Sequence, residues 1–190
     1  MPNTVENAKT ILTSLKESLF AVDVGQTEAL ADAVLTVRRE KKKIYVAGAG
    51  RSLLIIRTFA MRMMHLGLDS HVVGETTAPA IQQGDLLIFG SGSGETETLS
   101  IVLARAKSVN AKVAVITRNP KSKLGSRADL VVRIPVKKEA MEFQPGGTAF
   151  EQAMLILCDA LVLRILEKGR LLKDRRDLSA YIMRFHANLE

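Results

Sequence analysis

The sequence predicts an α/β protein, a three-layer α/β/α sandwich on a five-stranded parallel sheet, with two helices ahead of it. Three observations carry this. From Ile44 to Lys168, short apolar runs alternate with segments of helical periodicity. The runs are apolar throughout rather than at every second residue, as in strands covered by helices on both faces. Two of them open directly into Gly/Ser loops that lead into helices, the strand–loop–helix arrangement of parallel sheets.

Residues 4–43 read as two helices. Ile11, Leu12, Leu15 and Leu19 form one apolar stripe and Leu30, Val34 and Val37 another, with a break over Val22-Asp23-Val24-Gly25-Gln26 and a second start at Thr27. The first strand is 44–47. A helix over 52–66 follows, with Leu53, Ile56, Ala60 and Met64 at helical spacing. Strands are expected at 71–74 and 85–90, a helix at 96–109, and strands at 112–117 and 130–134. The loop after the last strand leads to a long apolar helix over 148–168, and a final helix lies between Lys173 and Phe185. The 190 residues read as one domain: a helical extension over 1–43, an α/β core over 44–168, and a C-terminal helix and tail over 169–190.

Composition removes several classes of function. Hydrophobic residues make up 47% of the chain, which excludes disorder. No apolar run approaches the roughly 18–20 residues needed to cross a bilayer. The N-terminus lacks the basic start and apolar stretch of a signal peptide. The single Cys158 cannot form an internal disulfide and fits a reducing cytoplasm. The net charge is +7, concentrated in 38–43 and 168–176, but there is no Trp, and no nucleic-acid motif accompanies the basic runs. They read as solvated helix ends whose positive field attracts an anionic substrate. Three scattered His and one Cys give no metal-ligand spacing.

The chemistry concentrates in the two loops, Gly48-Ala49-Gly50-Arg51-Ser52 and Ser91-Gly92-Ser93-Gly94-Glu95-Thr96. Both fall at C-terminal strand ends, where ligands of open α/β sheets bind. Amides at a helix N-terminus point at an anion, and the helix dipole favours its charge. Ser52, Ser91, Ser93 and Thr96 add hydroxyl donors, Arg51 adds charge, and Gly50 and Gly92 allow close backbone approach. Glu95 is expected to turn away. Leu53 stands where a dinucleotide fingerprint needs glycine, and neither loop has the ending of a P-loop. One small phosphorylated molecule is the expected ligand.

Those loops, together with Phe59-Ala60-Met61-Arg62-Met63-Met64-His65-Leu66-Gly67, Val72-Val73-Gly74-Glu75-Thr76-Thr77, Gly147-Thr148-Ala149-Phe150-Glu151 and the tail His186-Ala187-Asn188-Leu189-Glu190, resemble the sugar isomerase (SIS) domain, and within it the 6-phospho-3-hexuloisomerases. The resemblance spans residues 5–190. It implies a flavodoxin-like parallel sheet and interconversion of D-arabino-hex-3-ulose 6-phosphate and fructose 6-phosphate, the second step of formaldehyde fixation in the ribulose monophosphate pathway. It implies no metal and no organic cofactor. It also implies a homotetramer in the cytoplasm, with sites near subunit boundaries. One departure is visible: Phe185, rather than Arg, precedes the tail His186.

The reaction needs a carboxylate base, a group that moves protons at the oxygens, and a phosphate anchor. Glu151, in the first turn of an otherwise apolar helix, is the expected base; Glu139, in the loop after the last strand, is its rival. His186 is the expected acid/base at the oxygens, from its own chain or a neighbour's. His65, at the end of the helix that starts in the first loop, is a further candidate for substrate contact. Three other readings stay open: arabinose 5-phosphate isomerase, a sugar-phosphate-sensing regulator and a non-catalytic sugar-phosphate-binding protein. The first usually appends a regulatory pair of domains and the second an N-terminal DNA-binding domain, and this sequence shows room for neither.

Overall fold

In the computed structural model, which describes residues 2–172 and 174–188, the predicted alternation is present. Helices α1 (Thr4–Phe20) and α2 (Val24–Arg39) precede strand β1 (Lys43–Gly48). Then follow α3 (Gly50–His65), β2 (Asp69–Val72), β3 (Leu86–Gly90), α4 (Glu97–Ser108), β4 (Lys112–Thr117) and β5 (Leu130–Arg133). Helices α5 (Lys138–Phe143), α6 (Thr148–Lys168) and α7 (Leu178–Met183) complete it. The five strands are all parallel, in the order β2-β1-β3-β4-β5.

Side chains of successive strand residues leave opposite faces of the sheet, so each apolar strand feeds two cores. Ile44, Val46, Ile88 and Ile116 pack under α2, α3 and α6 against Leu30, Ile56, Met63 and Met154. Tyr45, Ala47, Phe89, Val113 and Val115 pack on the other face against Leu99 and Leu103 of α4. Helices α3 and α4 therefore leave the sheet on opposite sides, and the chain order reverses between β1 and β3. At such a switch point the loops diverge and leave a crevice outside the strand ends. Gly48 and Gly90, the last residues of β1 and β3, are direct partners in the ladder, so the two Gly/Ser loops leave the sheet side by side.

Three boundaries differ from expectation. Strand β2 is Asp69–Val72, two residues earlier than the sequence suggests. Pairing with Lys43–Val46 sets its register, and the Glu75 amide closes a turn on Val72 O at 3.2 Å. As an edge strand paired only with β1, it carries the polar run Asp69-Ser70-His71, which is not the apolar pattern. The loop after β5 contains the short helix α5, so Glu139 lies in a first helical turn rather than a loop. Helix α2 begins at Val24, because Asp23 caps it by accepting the Gln26 amide at 2.8 Å.

Candidate functional site

The site is built from two helix starts without side-chain caps. Ala49 is the N-cap of α3 and Thr96 of α4, and neither side chain accepts an amide of its helix. The first-turn N–H groups of both helices, with the positive ends of both dipoles, therefore face the crevice at the ends of β1 and β3. Gly50 takes φ +54, a conformation that costs other residues, and so lets β1 turn directly into α3.

In the second loop, Ser91 Oγ accepts the Gly94 amide at 3.2 Å and Ser93 Oγ accepts the Glu95 amide at 3.3 Å. Each hydroxyl uses an oxygen lone pair to shape the loop and keeps its O–H to donate to a ligand. Ser91 is buried, Gly92 and Thr96 half-buried, and Ser93 exposed, so the loop presents a graded wall to the crevice. Glu95 Oε1 accepts the Lys123 amide at 3.2 Å.

The first loop meets α6 through Glu151, which is only 6% exposed. Its Oε1 accepts the Ser52 hydroxyl at 3.3 Å, and its Oε2 lies 2.9 Å from Arg51 Nε. The Arg51 N–H is not aligned on that oxygen, so the contact is an ion pair and, among the described residues, Oε2 receives no hydrogen bond. A buried carboxylate that is charge-matched yet keeps one oxygen free of donors can take a proton from carbon. Arg51 pairs with the carboxylate through Nε, while its largely exposed side chain leaves the rest of the guanidinium accessible to an anion.

The other candidates lie elsewhere. Glu139 is exposed and makes no ion pair or hydrogen bond among the described residues, so nothing ties it to the loops. His65 is in the last turn of α3, 3% exposed, with its ring stacked on His186 at 5.3 Å between centroids. Helix α3 runs antiparallel to β1, and at 1.5 Å per residue His65 lies about 21 Å along the axis from Arg51. The fold therefore brings together Arg51, Ser52 and Glu151 beside Gly50, Ser91, Gly92, Ser93 and Thr96, but places His65 and His186 of the same chain at the opposite end of the sheet. Burial first, then Arg62 and His186, hold the His65 ring below the usual histidine value.

The SIS domain model matches residues 38–164. Over 98% of this chain and 99% of the relative, the sequence is 40% identical to a 3-hexulose-6-phosphate isomerase of Bacillus subtilis. This chain belongs to the 3-hexulose-6-phosphate isomerase family of SIS-domain proteins. A solved structure from Methanococcus jannaschii, a hypothetical protein for which a 3-hexulose-6-phosphate isomerase function was inferred, superposes with a TM-score of 0.80 at 35% identity, covering 97% of each chain. An arabinose 5-phosphate isomerase of Francisella tularensis is more distant, 26% identical over 87% of this chain and 52% of its own length.

The crevice sets two helix starts without side-chain caps, the serine and threonine hydroxyls and the buried Glu151 carboxylate side by side. Sequence reasoning passed over two residues with unmet polar atoms, Arg118 and Gln144. Arg118 directly follows β4 and its amide donates to Gly92 O at 3.2 Å. Gln144, the C-cap of α5, is 5% exposed, and its Oε1 has no donor among the described residues. The strand-end rule that picked out the two loops applies equally to Arg118, but a lone arginine after a strand carries no motif.

Proposed function

We propose that this isomerase interconverts D-arabino-hex-3-ulose 6-phosphate and fructose 6-phosphate, with Glu151 as the base. The observation that carries this reading is the Glu151 carboxylate: buried, matched by Arg51, and free of hydrogen-bond donors at Oε2, beside two open helix starts. The phosphate docks on the amides and hydroxyls of the Ser91–Thr96 loop, which fixes the carbon chain relative to the base. Glu151 removes the C2 proton of the 3-ketose and leaves a C2–C3 enediolate. The same carboxyl returns the proton to C3, while O2 loses its proton and O3 gains one. Ser52, hydrogen-bonded to Glu151, orients the carboxylate through the transfer.

The proton at the oxygens is moved by His186 of a neighbouring subunit, in a homo-oligomer built as a tetramer. Two features support this reading. His186 of the same chain lies far from Glu151, and adjacent helices expose apolar side chains at seven-residue spacing, Leu54 and Met61 on α3 and Ile156 and Leu163 on α6. Two such stripes side by side suit a subunit contact.

The test is to incubate the protein with fructose 6-phosphate in D2O and follow it by NMR, with and without EDTA. Formation of the 3-ketose with deuterium entering C3 of fructose 6-phosphate, unaffected by EDTA, is the expected result. Binding of the sugar phosphate without isomerisation or exchange would overturn the reading.

A further inference from the structure

The second loop is held by the residues that follow β4. The Thr117 hydroxyl donates to Gly92 O at 3.3 Å and the Arg118 amide to the same oxygen at 3.2 Å. The Leu124 amide reaches Gly94 O at 3.0 Å, and the Lys123 amide reaches Glu95 Oε1 at 3.2 Å. Arg118 is therefore carried at a fixed position against the phosphate-type loop. Its side chain turns in on the loop: a Cβ at position 92 would stand 3.4 Å from Arg118 Nε and 3.0 Å from the Phe150 ring in the first turn of α6. Glycine at 92 is what lets the guanidinium and the ring close on the loop.

The guanidinium is not satisfied there. Among the described residues it pairs with no carboxylate, and Arg118 Nη1 meets only the Met141 thioether of α5, a weak acceptor. Its Nε is buried and has no hydrogen-bond partner. A half-buried cation without a counter-charge is costly, and buried polar groups ordinarily find partners. Three residues beyond Met141, the buried Gln144 Oε1 is likewise without a donor among the described residues. Arg51, by contrast, is already matched by Glu151 at 2.9 Å.

We infer that Arg118 is the phosphate-binding cation of this site: its guanidinium takes oxygens of the substrate phosphate while the Ser91–Thr96 loop takes the others. This rests on the isomerase reading above and deepens it by naming the charge that the phosphate meets. A guanidinium suits the task because its fork can hold two phosphate oxygens at once.

The experiment compares the parent with Arg118→Met by fructose 6-phosphate kinetics, calorimetric titration with inorganic phosphate, and thermal unfolding. The expected result is a rise in KM, and a matching loss of inorganic phosphate affinity, of roughly 10- to 100-fold, the size of one charge-assisted hydrogen bond or more. The kcat should change by only a few fold, and Arg118→Lys should recover part of the affinity. Parental phosphate affinity in Arg118→Met, whether or not the melting temperature falls, would make Arg118 a strut and overturn the assignment. Should the methionine variant not fold, Arg118→Gln gives the same comparison with a polar side chain retained. A parent that binds phosphate through Arg118 yet turns over no fructose 6-phosphate would sink the isomerase reading and leave the cation assigned.

Discussion

In the proposed mechanism Glu151 is the residue on which the chemistry turns, and its surroundings predict how it can be removed. Glutamine keeps the shape and the Ser52 contact but cannot accept a proton from carbon. Glu151→Gln should lower kcat by roughly 10²–10⁴-fold, the usual contribution of a general base, while calorimetry shows fructose 6-phosphate still bound. Parental turnover in that variant would remove Glu151 from the mechanism. His65 makes a different prediction. Its ring is held below the ordinary value of 6.5 by burial, with Arg62 and the stacked His186 adding to it, so folding favours the neutral form. Below that value the unfolded chain holds more protons, so the contribution to stability is full above 6.5 and declines as pH falls through the folded value. Melting temperatures between about pH 7.5 and about pH 5.5 should fall less steeply for His65→Gln than for the parent. At this scale the sequence was legible wherever a residue type announced a chemistry at a strand end. Arg51, Ser52, Ser91, Ser93 and Thr96 were named from their place at strand ends, and Glu151 from its place in the first turn of α6. Arg118 and Gln144 were missed because what distinguishes them, burial without a partner, exists only once α5 is folded against the second loop.

Among the elements, α2 and α6 are joined by a charge cluster. Glu28 accepts Arg164 through two hydrogen bonds of 2.6 and 2.8 Å and Lys168 through one of 2.9 Å, and Lys168 also lies 2.7 Å from Asp32. The Arg164 hydrogen bonds, then that of Lys168, pull the Glu28 carboxyl down from 4.5 to about 2. The clamp is therefore complete above the ordinary carboxylate value and is lost as pH falls toward 2. Glu28→Gln should melt below the parent at neutral pH, and the gap between the two should narrow between about pH 5 and about pH 3 in a pH series of thermal scans. A gap that stays constant over that range would show that packing, not charge, joins these helices. Element by element, the long periodic segments, the apolar strands and the short α7 were readable, while α5 and the exact span of β2 were not. Helix α6, whose apolar side chains cover most of its surface, was placed at 148–168 from sequence. Helix α5 buries only Ala140, and β2 is polar because it pairs on one side alone, so neither carries a period to detect.

For the whole molecule, the decisive question is how many chains make one site. Oligomers assembled from Glu151→Gln and His186→Ala chains, each inactive alone, should regain isomerase activity if His186 serves a neighbour, because some sites then combine an intact Glu151 with an intact His186. Mixed oligomers as inactive as their parents would place the oxygen proton transfer elsewhere. The sequence by itself determined the parallel α/β class, the position of both loops at strand ends, the family, and the identity of the base candidate. The class and the loop positions follow from local facts: side-chain periodicity, the freedom of glycine, and the rule that parallel strands release ligand-binding loops at one end; the family and the base candidate follow from the resemblance of the motifs. Only the tertiary structure decided that Arg51 is matched to Glu151, that His65 and His186 of one chain stack at the far end of α3, and that Arg118 stands unmatched against the second loop. Those are pairings between residues distant in the chain, and they are set by helix direction and close packing, which no local pattern encodes.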